Sequence, residues 1–310
     1  MTDAFILGGV RTPFARYGGS LSHLRTDDLL GQTMVAACSK VGVPLERIED
    51  ITAGCVNTAH EGMGDIGRWA ALAAGFPDSV PAVTVNRFCA SSLTGAINIA
   101  HAIRSGELAL GLAAGVESMS RSGWAQMKGD APFSPRGPVL LLDTMWAGAG
   151  GPPNPVLLAR DAYVEMIKTA QNVADRYQLT REEIDAFALR SHLHAAAARD
   201  SGRLALEIHP VEIPATKHQP GRLFDQDEGI RGDTSAEQLA APPTSAEHDP
   251  DDGGQFFGTQ RRRFGDRPGQ WSRCRVDGRC SDSPGVGVGH SRPGPAADGD
   301  RASLCHRHRT

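Results

Sequence analysis

The segment PAVTVNRFCASSLTGAINIAHAIRS, residues 81–105, sets the pattern of the chain. Its apolar start, Pro81–Asn86, is typical of a buried strand, and the residues from about Cys89 to Ser105 predict a helix. The order of strand, short turn and helix places Cys89 at or near the first turn of that helix. The backbone N–H groups and the dipole of a helix N-terminus favour a thiolate and nucleophilic attack. The alternative is a cysteine that only fills space, and these residues alone do not decide between the two.

The same alternation runs through the first part of the chain. Strands are predicted at Ala4–Gly9, Ile48–Val56, Pro81–Asn86 and Leu108–Ser118. Helices are predicted at Asp27–Gly42, Gly67–Gly75, Cys89–Ser105, Asp161–Tyr177 and Thr180–Ser201. The last helix has Thr180 as its N-cap and two glutamates in its first turn. This alternation predicts an α/β fold with a mixed, mostly parallel sheet covered on both faces. Residues 119–158 are rich in Gly and Pro and are predicted to be loops.

Composition and charge argue against several classes of protein. The chain has 310 residues, 40% of them hydrophobic, and a formal charge of −4, which gives no reason to expect a nucleic-acid or membrane partner. No apolar run approaches the ~20 residues that span a bilayer, and the first residues do not resemble a signal peptide. The six cysteines are scattered without a CxxC pair, so we predict reduced thiols in a cytoplasmic protein and no metal site.

The composition changes abruptly near Ala241. Residues 242–310 contain 11 Gly, 7 Pro and 11 Arg but no Lys, Ile or Met, and their only leucine is Leu304. They show neither a helical nor a strand period. Such a segment cannot bury enough apolar surface to offset its conformational entropy. We therefore predict that residues 242–310 are disordered.

The stretch VNRFCASSLTGA, residues 85–96, resembles the nucleophile motif of the thiolases. Further stretches that resemble thiolase motifs follow in the family's order: GGVRTPFARYGGSL (8–21), GRWAALAAGFP (67–77), AGVESMS (114–120), the segment 166–198, and DEGIR (227–231). The resemblance covers residues 4–241. It implies a thiolase-like, layered α-β-α N-terminal domain over 1–118 and an inserted loop domain, for CoA binding and tetramerisation, over 119–241.

The resemblance also implies a chemistry. The thiolate of Cys89 would take an acyl group from an acyl-CoA, or cleave a 3-ketoacyl-CoA, and pass the acyl group to a second thioester or to free CoA. CoA and acyl-CoA are then substrates, and no metal or organic cofactor is implied. Met166 and Arg231 match positions that contact CoA in the family, and Leu157 is a candidate for the pantetheine wall. A homodimer or tetramer is implied as well.

Two features depart from the family's pattern. Glu165 stands where relatives often have a histidine, and it would place a carboxylate near the CoA phosphates. The family's second sheet domain carries Gly-His-Pro, Cys-x-Gly and Asn-Glu-Ala-Phe motifs, and none of them occurs in residues 242–310. We therefore expect that this sheet domain is absent from the chain as written, and that the product is unstable and inactive.

The codons of DGGQFFGTQRRR, residues 252–263, suggest why the family's later motifs are missing. Read one nucleotide later, codons for these residues permit Thr-Ala-Gly-Asn-Ser-Ser-Ala-Leu-Asn-Asp-Gly-Ala. This is the thiolase motif expected directly after the loop domain, and each step allows only a few residues. The hypothesis is that the reading frame slips near Ala241 or Pro242, so that the tail is not an evolved sequence.

The sequence leaves two functional hypotheses, an enzyme and a non-catalytic binding protein. The first is a thiolase-family acyltransferase, either a degradative 3-ketoacyl-CoA thiolase of fatty acid metabolism or a biosynthetic acetoacetyl-CoA thiolase. Ketoacyl synthases share the fold, but they usually show Thr-Ala-Cys-Ser-Ser and lack the long loop domain. The second hypothesis is a non-catalytic acyl-CoA-binding or interaction remnant. An unrelated α/β protein with a packing cysteine is the least favoured interpretation.

Overall fold

Three parallel strands form the central sheet. They are β1 (Asp50–Gly54), β2 (Ala82–Val85) and β3 (Gly111–Gly115), in the order β2-β1-β3. Ile51 of the middle strand lies opposite Ala82 on one side and Leu112 on the other. The predicted parallel pairing is confirmed, and each strand is shorter than its apolar run because the outer residues of the run belong to the connecting loops.

The computed structural model describes residues 3–126, 141–144, 154–160, 162, 166–215, 217 and 220–241, all within one structural unit, Met1–Gly258. The helices are α1 (Thr26–Lys40), α2 (Ile66–Ala73), α3 (Ser91–Ser105), α4 (Pro155–Ala159), α5 (Met166–Tyr177), α6 (Arg181–Asp200) and α7 (Ala236–Ala240). Two small antiparallel pairs join β4 (Trp124–Ala125) to β5 (Leu142–Asp143), and β6 (Val211–Ile213) to β7 (Arg222–Phe224).

The side chains of β1 alternate between two helical layers. Ala53 faces α2, where a Cβ added to Gly67 would lie 3.0 Å from the Ala53 Cβ. Thr52 faces α3, where a Cβ added to Gly95 would lie 3.2 Å from the Thr52 Cγ2. Because neighbouring residues of a strand point to opposite faces, the sheet is covered by α1 and α2 on one side and by α3 on the other. This confirms the predicted α-β-α layering.

The hydrophobic core lies between the sheet and the helices α1 and α2. Its most buried members include Leu30, Met34, Cys38, Ile51, Ala53, Ile66 and Ala70. Helix α3 is different, since it buries Ser91, Thr94, Gly95 and Ile99 against the sheet but leaves Leu93 64% and Ile97 42% exposed. The helix after the Cys89 turn therefore presents apolar side chains to solvent.

The prediction of a strand at Ala4–Gly9 was wrong. This segment forms no strand, and the side chains of Phe5, Ile6 and Leu7 are exposed. Among the described residues, the first backbone pairing comes at Arg11, whose N–H donates to the Glu207 carbonyl and whose carbonyl accepts from the His209 N–H. An apolar run forms a stable strand only beside another strand that accepts its hydrogen bonds, and no described segment takes that place here.

Residues 119–158 contain more structure than predicted, namely β4, β5 and part of α4, although 127–140 and 145–153 lie outside the described residues. The later helices agree with prediction. Helix α6 begins after Thr180, whose hydroxyl accepts from the Glu183 N–H in a capping box. Helix α5 begins at Met166, and the predicted start at Asp161 lies outside the described residues, as does the predicted disordered tail 242–310. The predicted division at residue 118 stays a prediction.

Candidate active site

Cys89 lies in the turn between β2 and α3, with its side chain exposed. Helix α3 begins two residues later at Ser91, and its N-cap residue, Ala90, offers no side-chain cap. The positive end of the helix dipole, equivalent to about half an elementary charge, therefore lies next to the thiol. The predicted order of strand, turn and helix is confirmed, and the thiol is open to a large reactant.

Two polar side chains build this turn. The Oδ1 of Asn86 accepts from the Phe88 N–H at 2.9 Å, and its Nδ2 donates to the Val56 carbonyl at 3.1 Å. The buried Ser91 hydroxyl accepts from the Arg87 N–H at 2.8 Å and donates to the Phe88 carbonyl at 2.6 Å. These bonds hold both sides of the turn, so the position of Cys89 is set by its neighbours.

The residue before the cysteine has an unusual backbone. Phe88 has a φ of +49°, in the left-handed region that a bulky side chain rarely adopts, and the residue is 76% exposed. Such a conformation costs of order 1–3 kcal/mol and persists only where the surroundings enforce it. Here the bonds from Asn86 and Ser91 enforce it, and the result is a sharp turn with the thiol at its tip.

Two glycines form the floor beneath the start of α3. A Cβ on Gly54, at the end of β1, would collide with the backbone of Ser91 and Ser92. A Cβ on Gly115, at the end of β3, would collide with the Ser92 side chain. The helix can start this close to the sheet only because these positions carry no side chain. This gives a physical reason for the glycine in the AGVESMS stretch.

Glu117, in the same stretch, ties the ends of two strands together. Its carboxylate accepts from the backbone N–H groups of Val56 at 2.8 Å and Asn57 at 3.1 Å. The Asn57 amide in turn donates to the Thr144 hydroxyl at 2.9 Å. The loops after β1 and β3 are thereby fixed beside the Cys89 turn.

The other described thiols have a different environment. Cys55 is buried, and burial together with the nearby Glu117 charge raises its pKa to about 12. Burial also raises the pKa of Cys38. Both thiols are kept protonated and out of reach of a reactant, so Cys89 is the candidate nucleophile among the three.

The predicted CoA-contacting residues lie on separate parts of the loop region. Leu157 is on α4 and Met166 is the first residue of α5, and both side chains are exposed. Arg231 comes after β7 and contacts α6, where its Nη2 lies 3.0 Å from the Nε2 of His192. Glu165, the residue that departs from the family pattern, lies outside the described residues.

In the parts of the chain that the structure describes, no three His, Cys, Asp or Glu side chains come together as a metal site. None of the described helices is long and apolar enough to cross a membrane.

Comparison with known proteins identifies the family. The family model "Thiolase, N-terminal domain" matches residues 4–248. A β-ketoadipyl-CoA thiolase from Pseudomonas putida is 39% identical over 242 residues, which are 77% of this chain and 58% of the relative. An acetyl-CoA acetyltransferase from Thiocystis violacea is 35% identical over 249 residues, with the same shares of the two chains. The crystal structure of the Bacillus anthracis acetyl-CoA acetyltransferase superposes with a TM-score of 0.67 at 31% identity, covering 78% of this chain and 58% of that one.

The chain therefore belongs to the thiolase family, and the predicted membership of an acyltransferase family is confirmed. It spans about 58% of the length of the curated relatives it matches. The family match ends near the point where the composition changes, since it reaches residue 248 and the change lies near Ala241.

Sequence reasoning found the nucleophile candidate but missed the residues that hold it. Asn86 and Glu117 lie within the stretches that resemble family motifs, yet the sequence alone gave neither side chain a role. Ser91 lies in the same stretch as Cys89, and the sequence did not indicate its hydrogen bonds. A polar side chain at a strand end or in the first turn of a helix was the available signal, because such residues commonly bond to nearby backbone groups.

Proposed function

We propose that this chain carries the acyl-accepting half of a thiolase active site, with Cys89 as the nucleophile of a 3-ketoacyl-CoA thiolase. The observation that carries the proposal is the exposed Cys89 thiol on the strained turn at the start of α3. The two other described thiols are buried and protonated.

The proposed reaction has two steps. The Cys89 thiolate bonds to the C3 carbonyl carbon of the 3-ketoacyl-CoA, the C2–C3 bond breaks, and its electron pair stays on C2 of the departing acetyl-CoA, which takes a proton from solvent water. A second CoA then loses its thiol proton to solvent, its sulfur adds to the acyl-enzyme thioester, and the acyl-CoA and the Cys89 thiolate are released. In this proposal the Cys89 N–H donates to the oxyanion of each tetrahedral intermediate.

The substrate class is a 3-ketoacyl-CoA, and the proposed CoA contacts are Arg231 for a phosphate and Met166 and Leu157 for the apolar part. Several relatives at 38–40% identity are named as β-ketoadipyl-CoA or 3-oxoadipyl-CoA thiolases. These names favour a dicarboxylic acyl chain as the first substrate to test, with acetoacetyl-CoA as the comparison. They are not names of fatty acid degradation.

The Gly-His-Pro, Cys-x-Gly and Asn-Glu-Ala-Phe motifs that the resemblance implies do not occur in residues 242–310. We propose that residues 242–310 are translated from a shifted reading frame. The resulting protein is then acylated slowly at Cys89 and does not complete catalytic cycles. The end of the family match near residue 248, the composition of the tail and the alternative frame of residues 252–263 support this proposal.

We also propose that the folded protein is a cytoplasmic homodimer. Strand β2 lies at one edge of the described sheet, and its Val83 is 46% exposed. An edge with an apolar side chain favours pairing with a second copy. Light scattering after size exclusion checks this, since Val83→Lys should shift a dimer to the monomer mass.

Two measurements test the proposed function. The first is the genomic sequence across the codons for Leu239 to Asp252. The second is thiolysis of 3-oxoadipyl-CoA and acetoacetyl-CoA by the chain as written and by the chain with its frame restored, each beside a Cys89→Ala control. We expect turnover only in the frame-restored protein with Cys89 present. An inactive frame-restored protein that still binds CoA would favour the non-catalytic acyl-CoA-binding remnant.

A further inference from the structure

His192 and Arg231 meet between α6 and the segment after β7. The Nη2 of Arg231 lies 3.0 Å from the Nε2 of His192, and the Arg231 backbone N–H points at the Nδ1 of the same ring from 3.4 Å. Two of the donors of Arg231, one from the side chain and one from the backbone, thus converge on one imidazole.

Both groups of Arg231 are donors, and a neutral imidazole accepts on one nitrogen only. We assign the acceptor to Nε2, because its contact with the guanidinium is the shorter one, 3.0 Å against 3.4 Å for Nδ1. Burial, and secondarily the charge of Arg231, lower the pKa of His192, which agrees with a neutral ring. Such a partner orients the guanidinium without cancelling its charge.

The other end of the same segment is held as well. The Asp227 carboxylate accepts from the Arg11 guanidinium at 2.8 Å and from the Phe14 N–H at 2.7 Å. The next residue, Glu228, accepts from the Arg16 N–H at 2.8 Å and from the Ser20 hydroxyl. The DEGIR segment is therefore anchored to the N-terminal region at its first two residues and to α6 at its last.

We propose that His192 is a positioning residue that orients Arg231 toward a phosphate of CoA. This inference rests on the proposed function, because it takes CoA as the ligand of Arg231. A neutral acceptor suits such a role, since a carboxylate in its place would compete with the phosphate for the guanidinium. His192 lies within the segment 166–198, but the resemblance of that segment gives this residue no role.

The test is CoA binding by calorimetry, with pantetheine as the phosphate-free comparison. We expect His192→Leu to raise the Kd for CoA about tenfold and to leave the Kd for pantetheine within about twofold, because only the phosphate contact is lost. His192→Gln, whose amide oxygen also accepts, should restore the affinity to within about threefold. His194→Leu, the same substitution two residues along on an exposed side chain, is the matched control and should bind CoA as the unaltered chain does.

A double substitution separates positioning from a general loss of structure. In an Arg231→Ala background, His192→Leu should change the Kd for CoA by less than about twofold, since its effect passes through the arginine. Equal CoA binding by His192→Leu and the unaltered chain would overturn this inference alone. So would a tenfold loss that persists in the Arg231→Ala background or extends to pantetheine. An unaltered chain that does not bind CoA would overturn the proposed function and this inference with it.

Discussion

Cys55 and Cys89 come after neighbouring parallel strands, β1 and β2, and so leave the sheet at the same edge. Cys55 continues inward, where it is covered by the core and lies near the Glu117 carboxylate. Cys89 follows Phe88, whose backbone is left-handed, and lies exposed beside the start of α3. The same side chain is thus an inert core residue in one place and a candidate nucleophile in the other.

The segment that follows each strand therefore sets the reactivity of the cysteine within it. After β1 comes a loop whose backbone N–H groups bind a carboxylate, which brings negative charge toward the thiol. After β2 comes a turn closed by Asn86 and Ser91, which leads directly into a helix N-terminus. A negative neighbour and burial disfavour a thiolate, whereas exposure and a helix N-terminus favour it.

The largest expected effect is a difference in alkylation rate. At about pH 8, a thiol whose pKa is about 12 is ionised in only about one molecule in 10⁴, and Cys55 is also buried. We expect iodoacetamide to modify Cys89 at least about 1,000-fold faster than Cys55 in the folded chain. Peptide mass spectrometry over a time course measures both rates, and the denatured chain is the control in which the difference should vanish. Rates within tenfold in the folded chain would break the comparison.

The next largest effect is expected at Gly54, the last residue of β1, which lies between Cys55 and the start of α3. Gly54→Ala places a methyl group against the backbone of Ser91 and Ser92, which cannot move without shifting the Cys89 turn. We expect a loss of roughly 3 kcal/mol of unfolding free energy, the upper end of what overpacking costs. Gly9→Ala is the matched control, since nothing lies within 4 Å of its added Cβ. Urea unfolding of both variants checks the pair, and equal stabilities would contradict the close approach.

The pH dependence of the unfolding free energy tests whether Cys55 is held protonated. Its folded pKa of about 12 lies above the unfolded value, so its contribution to stability is complete below about pH 9 and is lost as the pH rises toward about 12. Replacing it by Ala should make the decline of stability above about pH 9 shallower, by up to about 1.4 kcal/mol per pH unit. Cys89→Ala is the control, measured by the same denaturant titrations at each pH. If the Cys55→Ala and Cys89→Ala series have equal slopes, Cys55 is not held protonated.

The smallest effect concerns the hydroxyl that closes the Cys89 turn. Ser91→Ala removes the bonds to the Arg87 N–H and the Phe88 carbonyl and should cost about 1 kcal/mol. It should also slow alkylation of Cys89 severalfold, because the turn loses its fixed shape. Ser105→Ala, at the exposed end of the same helix, should change stability by less than about 0.5 kcal/mol. A Ser91→Ala variant with unchanged stability and unchanged Cys89 reactivity would show that the turn does not depend on this hydroxyl.

The parts of the fold that could be predicted are those set by local pattern. The Pro81–Ser105 segment predicts its own strand, turn and helix because the apolar period changes within it. The Thr180 cap is predictable for the same reason, since the N-cap residue and Glu183 are three positions apart. Ala4–Gly9 has an equally apolar pattern, yet a strand also needs a neighbour, and a period along the chain does not say whether one is present.

The parts that could not be predicted depend on contacts between distant residues. His192 and Arg231 are 39 positions apart, and nothing in either local sequence indicates that they meet. Glu117 bonds to Val56 and Asn57, which are 61 and 60 positions earlier and come near only through the parallel pairing of β1 and β3. The nucleophile candidate was therefore predictable from sequence, whereas the side chains that position it and the contact between His192 and Arg231 were not.

The central claim is that Cys89 is the thiol that accepts an acyl group. The direct test is overnight incubation of the purified chain with excess acetyl-CoA, followed by peptide mass spectrometry of every cysteine, beside a Cys89→Ala control. We expect a hydroxylamine-sensitive acetyl group on Cys89, unmodified Cys38 and Cys55, and no acetyl-thioester in the control. An acetyl group on Cys55, or an unmodified Cys89 in a chain that is folded and binds CoA, would contradict it.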